Sequence, residues 1–390
     1  MQALRQNYLA LATDMATELK TRAISGDEQR RVPAENIELF KQAGFFNMLK
    51  PTRFGGAAMS PKDFYDVVFE VSRYCPSSGW VLSVVGVHSW QLGLFHDQAQ
   101  EEVWGNDPGA LISSSYMPAG KVTCVDGGYR LSGHWQFSSG CDHCSWVMLG
   151  GMVPPAEEGA PPQLHTFLLP RADYEIVDDW FTTGLKASGS KAIVVDDVFV
   201  PSHRTHSFMD GFMRTSPGIE VNPEPVYKLP FGQVFVRAVS MPAVGAAQGA
   251  LDHYLAYNLE RVNSRGTSAV ELPATLRAAS DAQSVIRAAR LKMHNCYDTL
   301  MQWAESGADM PHPERAEFRY DAAHAVDSCL GAVQQLLANS GGRAIYTSND
   351  VNHYMQDLLA FRQHAMNEPD KASCNLGRIM MGLDTEEFFI

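Results

Sequence analysis

The segment that decides the fold reads GHWQFSSGCDHCSW and runs from Gly133 to Trp146. Its first residues are strand formers, and the predicted strand ends at Ser138-Ser139-Gly140. A turn through Cys141-Asp142-His143 then leads into an apolar strand from Trp146 to Val153. Two hydroxyl groups and a glycine between aromatic rings suit a planar ligand whose edge carries heteroatoms. The same residues also fit an ordinary turn with exposed serines, so the segment alone leaves both interpretations open.

Further strand signals surround this segment. Thr123–Val125 and Tyr129–Leu131 flank the turn residues Asp126-Gly127-Gly128, a pattern that predicts a β-hairpin. Val-rich stretches at Thr166–Leu169 and Ala192–Val200 add two more candidate strands. Together they predict a central β-barrel-like domain over residues 111–215.

Helical periodicity precedes this β region. Apolar residues recur at helical spacing at Leu4, Tyr8, Leu11, Met15 and Leu19. A short helix is predicted from Pro33 to Ala43 with its end at Gly44, and further helices are predicted over Pro61–Tyr74 and Gly79–Phe95. These elements predict an N-terminal helical domain over residues 1–110.

Long helices are predicted after a proline-containing linker at 217–230. One helix, expected to end at Gly307, carries a regular apolar stripe of Leu276, Ala279, Ala282, Ile286, Ala289, Met293, Cys296, Leu300 and Trp303. The next repeats the pattern at Phe318, Ala322, Ala325, Cys329 and Leu336. Long helices with one apolar face predict a C-terminal four-helix bundle over residues 228–390, and the fold class is therefore α+β.

Composition narrows the classes of function. The chain has 390 residues and a net charge of −13, which disfavours binding to duplex nucleic acid or to an anionic membrane. Its first residues lack the apolar core of a secretory signal, and the apolar stretch Trp80–Phe95 is too short and too polar to span a bilayer. We therefore expect a cytoplasmic protein.

The seven cysteines show no regular framework, as expected for a reducing compartment. Cys141-x-x-Cys144 has the spacing of a metal or redox pair. A zinc site needs a second pair of ligands, and a redox pair needs the N-terminus of a helix after a strand. We therefore expect no metal here.

The order of helices, β unit and helical bundle resembles the acyl-CoA dehydrogenase fold. The resemblance is carried by several motifs: Gly44-Phe45-Phe46 to Phe54-Gly55-Gly56, Trp135–Ser139, Gly184–Ser190, Tyr257–Arg261 and Ser340-Gly341-Gly342. In that family the strand that Trp135–Ser139 resembles lies against the flavin ring. The Arg of the tyrosine–arginine motif reaches the flavin phosphates, and the glycine pair lies near the cofactor of a neighbouring subunit.

Other residues depart from the dehydrogenases. Their carboxylate base is expected in a late motif, but here the region reads FRQHAMNEP over residues 361–369, with Pro369 directly after Glu368. This stretch resembles instead the oxygenase components of two-component (group D) flavin-dependent aromatic monooxygenases. So do Val87–Trp90, Ile112–Tyr116 and Phe137–His143. Within that group the chain is most similar to oxygenases that hydroxylate a phenolic secosteroid in bacterial steroid-ring degradation.

The resemblance implies a reaction and its participants. Reduced flavin, FMNH2 or FADH2, would come from a separate NAD(P)H:flavin reductase and react with O2 to give a C4a-hydroperoxyflavin that hydroxylates a small aromatic substrate. The chain accordingly has no G-x-G-x-x-G after a strand and no P-loop. The family also implies a homotetramer.

The resemblance also assigns candidate site residues. Ser139 would bond flavin N5, and His364 would assist the substrate hydroxyl and the oxygen that is transferred. The remaining flavin contacts would be Ser113, Ser114, Ser115, Phe137, Ser138, Arg261, Gly341 and Gly342. The substrate would meet His88, Trp90 and Tyr116. Each residue also fits a structural role, as a turn-capping serine, a core histidine or a packed aromatic ring.

Three alternatives stay open at this point. Glu368 leaves room for an acyl-CoA dehydrogenase. An oxygenase of the same family that acts on indole or another bicyclic aromatic fits equally well, and so does a non-catalytic helical scaffold. The sequence does not choose between FMN and FAD.

Overall fold

Helices form the first part of the chain in the computed structural model, which describes residues 2–155, 159 and 161–390. They are α1 Gln2–Asp14, α2 Ala16–Gln29, α3 Ala34–Gln42, α4 Pro61–Tyr74, α5 Pro76–Leu92 and α6 Asp97–Gln100. The predicted stripe from Leu4 to Leu19 is split between two helices, because the first ends just before Met15. Proline stands at the first position of α4 and of α5, where its missing N–H costs no hydrogen bond.

A mixed sheet follows. Its strands are β1 Ile112–Val125, β2 Gly128–Ser138, β3 Trp146–Val153, β4 Gln163–Pro170, β5 Glu175–Val177, β6 Lys191–Pro201 and β7 Thr205–Ser207, in the order β5-β6-β2-β1-β3-β4-β7. The predicted hairpin is confirmed, since β1 and β2 pair from Val125↔Gly128 to Lys121↔Ser132. The first half of β1 instead runs parallel to β3, with Ile112 opposite Trp146. β1 thus joins two halves of a bent sheet around the buried Trp135.

The C-terminal part is a bundle. Its helices are α7 Phe208–Met213, α8 Phe231–Glu260, α9 Pro273–Ser306, α10 His312–Ala338, α11 Asp350–Arg362 and α12 Pro369–Met380. The central helix α8 packs against α9, α10 and α11. It is long and apolar enough to cross a membrane, but 94% of its most apolar window is buried in the structure, as in the core helix of a bundle.

The first helices and the bundle share one core. A Cβ at Gly245 or Gly249 of α8 would overlap the backbone carbonyl of Phe69 or Arg73 on α4. Glycine therefore lets α4 lie directly against the backbone of α8. One apolar cluster accordingly runs from the N-terminal helices into the bundle.

The α+β fold class, with a helical N-terminal region, a central sheet and a C-terminal bundle, is confirmed. The predicted end of α9 at Gly307 is correct, since this residue has a φ of 71°. One stripe position is wrong: Leu276 is 55% exposed, whereas Ala278 is buried in the same turn. The domain boundaries at 110/111 and 215/228 stay predictions.

Candidate functional site

One face of α5 forms the back wall of the candidate site. Trp80, Val84 and His88 are spaced by four residues, so their side chains lie along one side of the helix. All three are buried. From Trp80 to His88 this face extends for about 12 Å, at 1.5 Å per residue.

Trp80 brings the two candidate catalytic residues together. Its indole Nε1 donates to Ser139 Oγ at 2.8 Å. On its other side, the imidazole of His364 meets the indole edge-on, with ring centroids 5.7 Å apart. Ser139 and His364 thus contact one side chain, although the sequence separates them widely.

Ser139 belongs to a chain of hydroxyl groups. Its Oγ lies 2.7 Å from Ser190 Oγ, and Ser190 Oγ lies 2.8 Å from Ser188 Oγ. All three serines are buried. A third hydrogen-bonding direction of Ser139 is left for a ligand, because a hydroxyl has one hydrogen and two lone pairs.

His364 precedes a short helical turn and caps it. Its Nδ1 accepts a hydrogen bond from the Met366 amide at 3.2 Å, so the neutral ring carries its hydrogen on Nε2. Burial, together with the nearby positive charge of Arg319, lowers the pKa of His364 to about 4. At neutral pH His364 is therefore an uncharged hydrogen-bond donor through Nε2.

His88 has the opposite tautomer. Its Nδ1 lies 2.6 Å from the carbonyl oxygen of Ile112, which can only accept, so the hydrogen is on Nδ1. Nε2 is then a lone pair, and within the described residues this buried atom has no hydrogen-bond partner. Burial lowers the pKa of His88 to about 4. The lone pair is therefore available to a ligand group that donates a hydrogen bond.

Aromatic side chains continue the wall beyond His88. Tyr116 lies edge-on to His88, with centroids 6.2 Å apart, and its hydroxyl donates to Gln91 Oε1. The ring of Tyr116 also meets three other rings: Phe208, Phe231 and Phe235. Phe389, next to the last residue, packs on Phe208 and Phe231. This aromatic wall is apolar and suits an aromatic ligand.

Trp90 is not part of this surface. It is fully buried, its Nε1 donates to Val226 O at 2.8 Å, and its ring stacks on Phe231. Phe231 separates it from Tyr116. The structure therefore gives Trp90 a packing role, while it places His88 and Tyr116 side by side.

The serines of β1 and β2 differ in their surroundings. Ser115 Oγ donates to Gln136 O at 2.7 Å, which ties β1 to β2, and Ser114 is half-buried. Ser113 and Ser138 are fully buried, and each hydroxyl is without a hydrogen-bond partner in the part of the chain that the structure describes.

Phe137 is the exposed aromatic residue at the end of β2. It is 56% exposed, its φ is 70°, and its ring meets Trp180 edge-on at 6.2 Å. A positive φ is costly for a residue with a large side chain. The residues two positions before and after Phe137 are fixed in place: Trp135 packs in the sheet core, and Ser139 accepts a hydrogen bond from Trp80. The surroundings therefore impose the strain at Phe137. It turns an aromatic face outward next to Ser139, as a planar cofactor requires.

Arg261 and Gly341 form a second cluster. Arg261 Nε donates to Asn258 Oδ1 at 2.8 Å, and Nη2 donates to Asn339 O at 2.9 Å. A Cβ at Gly341, whose φ is 76°, would lie 2.6 Å from Arg261 Nη1. The absence of that Cβ leaves room for the guanidinium beside the glycine loop, where Gly342 begins a helical turn. A guanidinium held by one side-chain oxygen and one backbone oxygen suits a phosphate.

The two clusters lie far apart along α8. Asn367, close to His364, donates to the carbonyl of Val239 at 2.8 Å. Arg261 follows Val239 by 22 residues, which is about 33 Å along a helix.

The residues fit a flavin in two respects. Ser139 and Phe137 offer an edge hydrogen bond and an aromatic surface, and Arg261 with Gly341 offers a phosphate cradle. Cys141 and Cys144 do not contribute to the flavin site. Both side chains are buried, and burial raises the pKa of Cys141 to about 12 and that of Cys144 well above its usual value. Their protonated thiols contact backbone carbonyls of Gly189 and Gly140.

Glu368 is engaged in a structural contact. Its two carboxylate oxygens accept hydrogen bonds from the Asp370 and Lys371 amides at the start of α12. These backbone hydrogen bonds lower the pKa of Glu368. A capping carboxylate of this kind is a poor base for removing a carbon-bound proton.

The sequence reasoning missed Trp80 and Ser190 as site residues. Trp80 lies two helical repeats before His88 on the same face, so the spacing itself was the available signal. Ser190 stands in the motif Gly184–Ser190, but its contact with Ser139 joins β6 to the end of β2, which no local pattern reveals.

Comparisons with known proteins show the family of the chain. The family model described as acyl-CoA dehydrogenase, N-terminal domain, matches residues 3–106, and the one described as acyl-CoA dehydrogenase, C-terminal domain, matches residues 238–369. The chain is 38% identical over 367 residues to the flavin-dependent monooxygenase, oxygenase subunit HsaA, of Rhodococcus jostii (strain RHA1), covering 94% of this chain and 96% of that protein. It is 34% identical to the oxygenase component of the FADH(2)-dependent resorcinol hydroxylase of Rhizobium sp. (strain MTP-10005), covering 92% and 90%. The crystal structure of the HsaA monooxygenase from M. tuberculosis superposes with a TM-score of 0.93 at 36% identity, covering 99% of this chain and 100% of that chain.

Proposed function

Since the chain belongs to the flavin-dependent aromatic monooxygenases built on the acyl-CoA dehydrogenase fold, we propose that it is the oxygenase component of a two-component phenol hydroxylase. It uses reduced flavin made by a separate reductase, together with O2, to hydroxylate an aromatic substrate. The similar proteins are named as oxygenase subunits or components, which supports a partner reductase. The acyl-CoA dehydrogenase alternative is disfavoured because Glu368 is occupied as a helix cap.

The observation that carries the choice of a phenol is the buried lone pair on His88 Nε2. A phenolic hydroxyl can donate to it while the ring packs against Tyr116 and its aromatic neighbours. A hydrogen bond from the hydroxyl to Nε2 raises the electron density at the ortho carbon of the ring, which favours attack on an oxygen atom. The resorcinol hydroxylase named above has a phenol as its substrate, which agrees with this reading.

His364 lies at the Trp80 end of the wall, away from His88. Its Nε2–H could donate a hydrogen bond to an oxygen atom at the edge of a bound flavin. Trp80 holds its ring edge-on and fixes Ser139 at the same time. When bound, reduced flavin activates O2 and supplies the oxygen atom that is transferred. The protein's own task is to exclude water, orient the two ligands and hold the protons at His88 and His364.

We further propose that the protein acts as a homotetramer in the cytoplasm, where NAD(P)H is available to the reductase. The rise of about 33 Å along the helix from Val239, which accepts from Asn367 near His364, to Arg261 supports an oligomer. A single chain presents the ring-binding cluster and the phosphate-binding cluster far apart. Arg261 and Gly341 would then hold the phosphate of a flavin whose ring lies in a neighbouring subunit.

A single-turnover assay tests this function. The protein is mixed with FMNH2 or FADH2, oxygenated buffer and a panel of phenols and indoles, and products are identified by mass. We expect a hydroxylated phenol, strongly reduced formation in His88→Asn, and wild-type behaviour in His206→Asn. His206 is an equally buried histidine that is bonded to Ser216 Oγ at 2.9 Å instead. Hydroxylation of indoles but of no phenol would contradict the proposed substrate class.

A further inference from the structure

Ser139 forms a hydrogen-bonded row with two other buried serines, which have no role in the proposed function described above. Ser139, Ser190 and Ser188 are linked by oxygen–oxygen distances of 2.7 and 2.8 Å. All three lie within a few per cent of complete burial, so water does not compete for their hydroxyl groups. Such a row is more than a turn cap, because its members come from two separate segments of the chain.

The direction of this row is not fixed by the protein. Each hydroxyl both donates and accepts, so hydrogens can run from Ser139 to Ser188 or from Ser188 to Ser139. The indole of Trp80 can only donate, and it fills one lone pair of Ser139 in either case. The remaining direction of Ser139 is then an acceptor in the first arrangement and a donor in the second.

We propose that Ser190 is a positioning residue that lets Ser139 switch between accepting from flavin N5 and donating to it. The inference rests on the proposed contact between Ser139 and N5. Reduced flavin carries a hydrogen on N5, whereas oxidised flavin presents a lone pair there. With Ser190 in place, Ser139 matches both states by reversing the row, and the hydrogen of Ser139 has an acceptor in each state.

The loop that carries Ser188 and Ser190 is held rigidly, as a positioning role requires. Asp357 Oδ1 accepts from the Leu185 amide at 2.6 Å, and a Cβ at Gly184 would overlap the carbonyl of Gln356. At the other end, the Gly140 amide donates to Ser188 O at 2.9 Å, directly beside Ser139. The loop is therefore fixed both to α11 and to the end of β2.

Replacing Ser190 by alanine affects the two redox states differently. With oxidised flavin, Ser139 still donates to N5 and accepts from Trp80, and only one lone pair of Ser139 is left unused. With reduced flavin, Ser139 accepts from both N5 and Trp80, and its own hydrogen then has no acceptor in a buried site. An orphaned buried donor is the costlier of the two defects.

The test measures flavin affinity and potential, not turnover. FMN and FAD are titrated in both redox states to give the ratio of affinities, reduced over oxidised, and the midpoint potential of the bound flavin is read spectroscopically. For Ser190→Ala we expect the ratio to fall about 2- to 10-fold, the range that corresponds to the net effect of one hydrogen bond. A tenfold fall makes the two-electron potential of bound flavin more negative by about 30 mV.

Three further variants make the result specific. Ser190→Thr keeps a hydroxyl and should restore the wild-type ratio. Ser188→Ala should lower the ratio by less, and it tests the same row if Ser190→Ala does not fold. Ser83→Ala removes another buried hydroxyl, one that donates to Ala238 O at 2.7 Å, and should leave the ratio unchanged.

Two outcomes overturn the proposal in distinguishable ways. If Ser139→Ala changes the ratio but Ser190→Ala and Ser188→Ala do not, Ser139 contacts the flavin and the row plays no part. If the wild-type protein binds neither FMNH2 nor FADH2, the proposed function itself fails.

Discussion

The buried, neutral state of His88 predicts that the stability of the protein depends measurably on pH. Burial lowers the pKa of His88 to about 4 in the folded protein, while an unfolded histidine titrates near 6.5. The unfolded state therefore binds a proton between these values and the folded state does not, so stability falls as pH falls from about 6.5 towards 4. With these two pKa values, the loss between pH 7 and pH 5 is about 2 kcal/mol from His88 alone.

Comparison with His88→Asn isolates this contribution. The Asn amide can still donate to the Ile112 carbonyl, but it does not titrate. His206 and His364, whose pKa values burial lowers to about 3 and about 4, are present in both proteins and cancel in the difference.

The assay is urea unfolding followed by tryptophan fluorescence at pH 7 and pH 5. We expect the wild type to lose about 2 kcal/mol more than His88→Asn over this interval. An equal loss in both proteins would refute a buried neutral imidazole at position 88, and with it the lone pair on which the choice of a phenol depends.

Three shorter predictions test other contacts. Trp80→Phe keeps a ring beside His364 but removes the donor to Ser139, and it should release about 2- to 10-fold more hydrogen peroxide per reduced flavin consumed, as quantified with a peroxidase assay. Glu387→Ala should lower the free energy of unfolding in urea by about 3–5 kcal/mol, because Arg319, which is 1% exposed, loses its ion-pair partner. Gly341→Ala should weaken binding of oxidised flavin in a fluorescence titration by crowding Arg261, whereas Gly331→Ala, with no atom within 4 Å of the added Cβ, should not.

Local signals predicted much of the fold. Helix ends at Gly44 and Gly307 follow from residues that favour positive φ, and the hairpin between β1 and β2 follows from its turn. The three-residue strands β5 and β7 were missed, because such short segments show no recognisable alternation. Leu276 shows a different limit: periodicity tells which residues share a face, not whether a neighbouring helix covers that face.

The candidate site was predicted less completely than the fold. Ser139, His364, His88 and Tyr116 were identified through motifs, and the structure places them along one wall. Trp80 was not predicted as a site residue, since its role arises from contacts with residues more than 50 positions away in the sequence. The tautomers were not predicted either, because each is fixed by the position of a backbone group, Ile112 O for His88 and the Met366 amide for His364.

The opposite tautomers give the proposed reaction a direction. A buried site must supply its own hydrogen-bond acceptors and donors for a polar ligand, because water does not reach it to serve as either. His88 offers a lone pair where the substrate hydroxyl would lie, and His364 offers an N–H about two helical turns away, beside Trp80. Burial holds both rings neutral at pH 7, so each is in the state that its task requires before substrate arrives. If the two tautomers were the same, the site would hold two donors or two acceptors, and it could not accept a hydrogen bond from the substrate hydroxyl while donating one to oxygen.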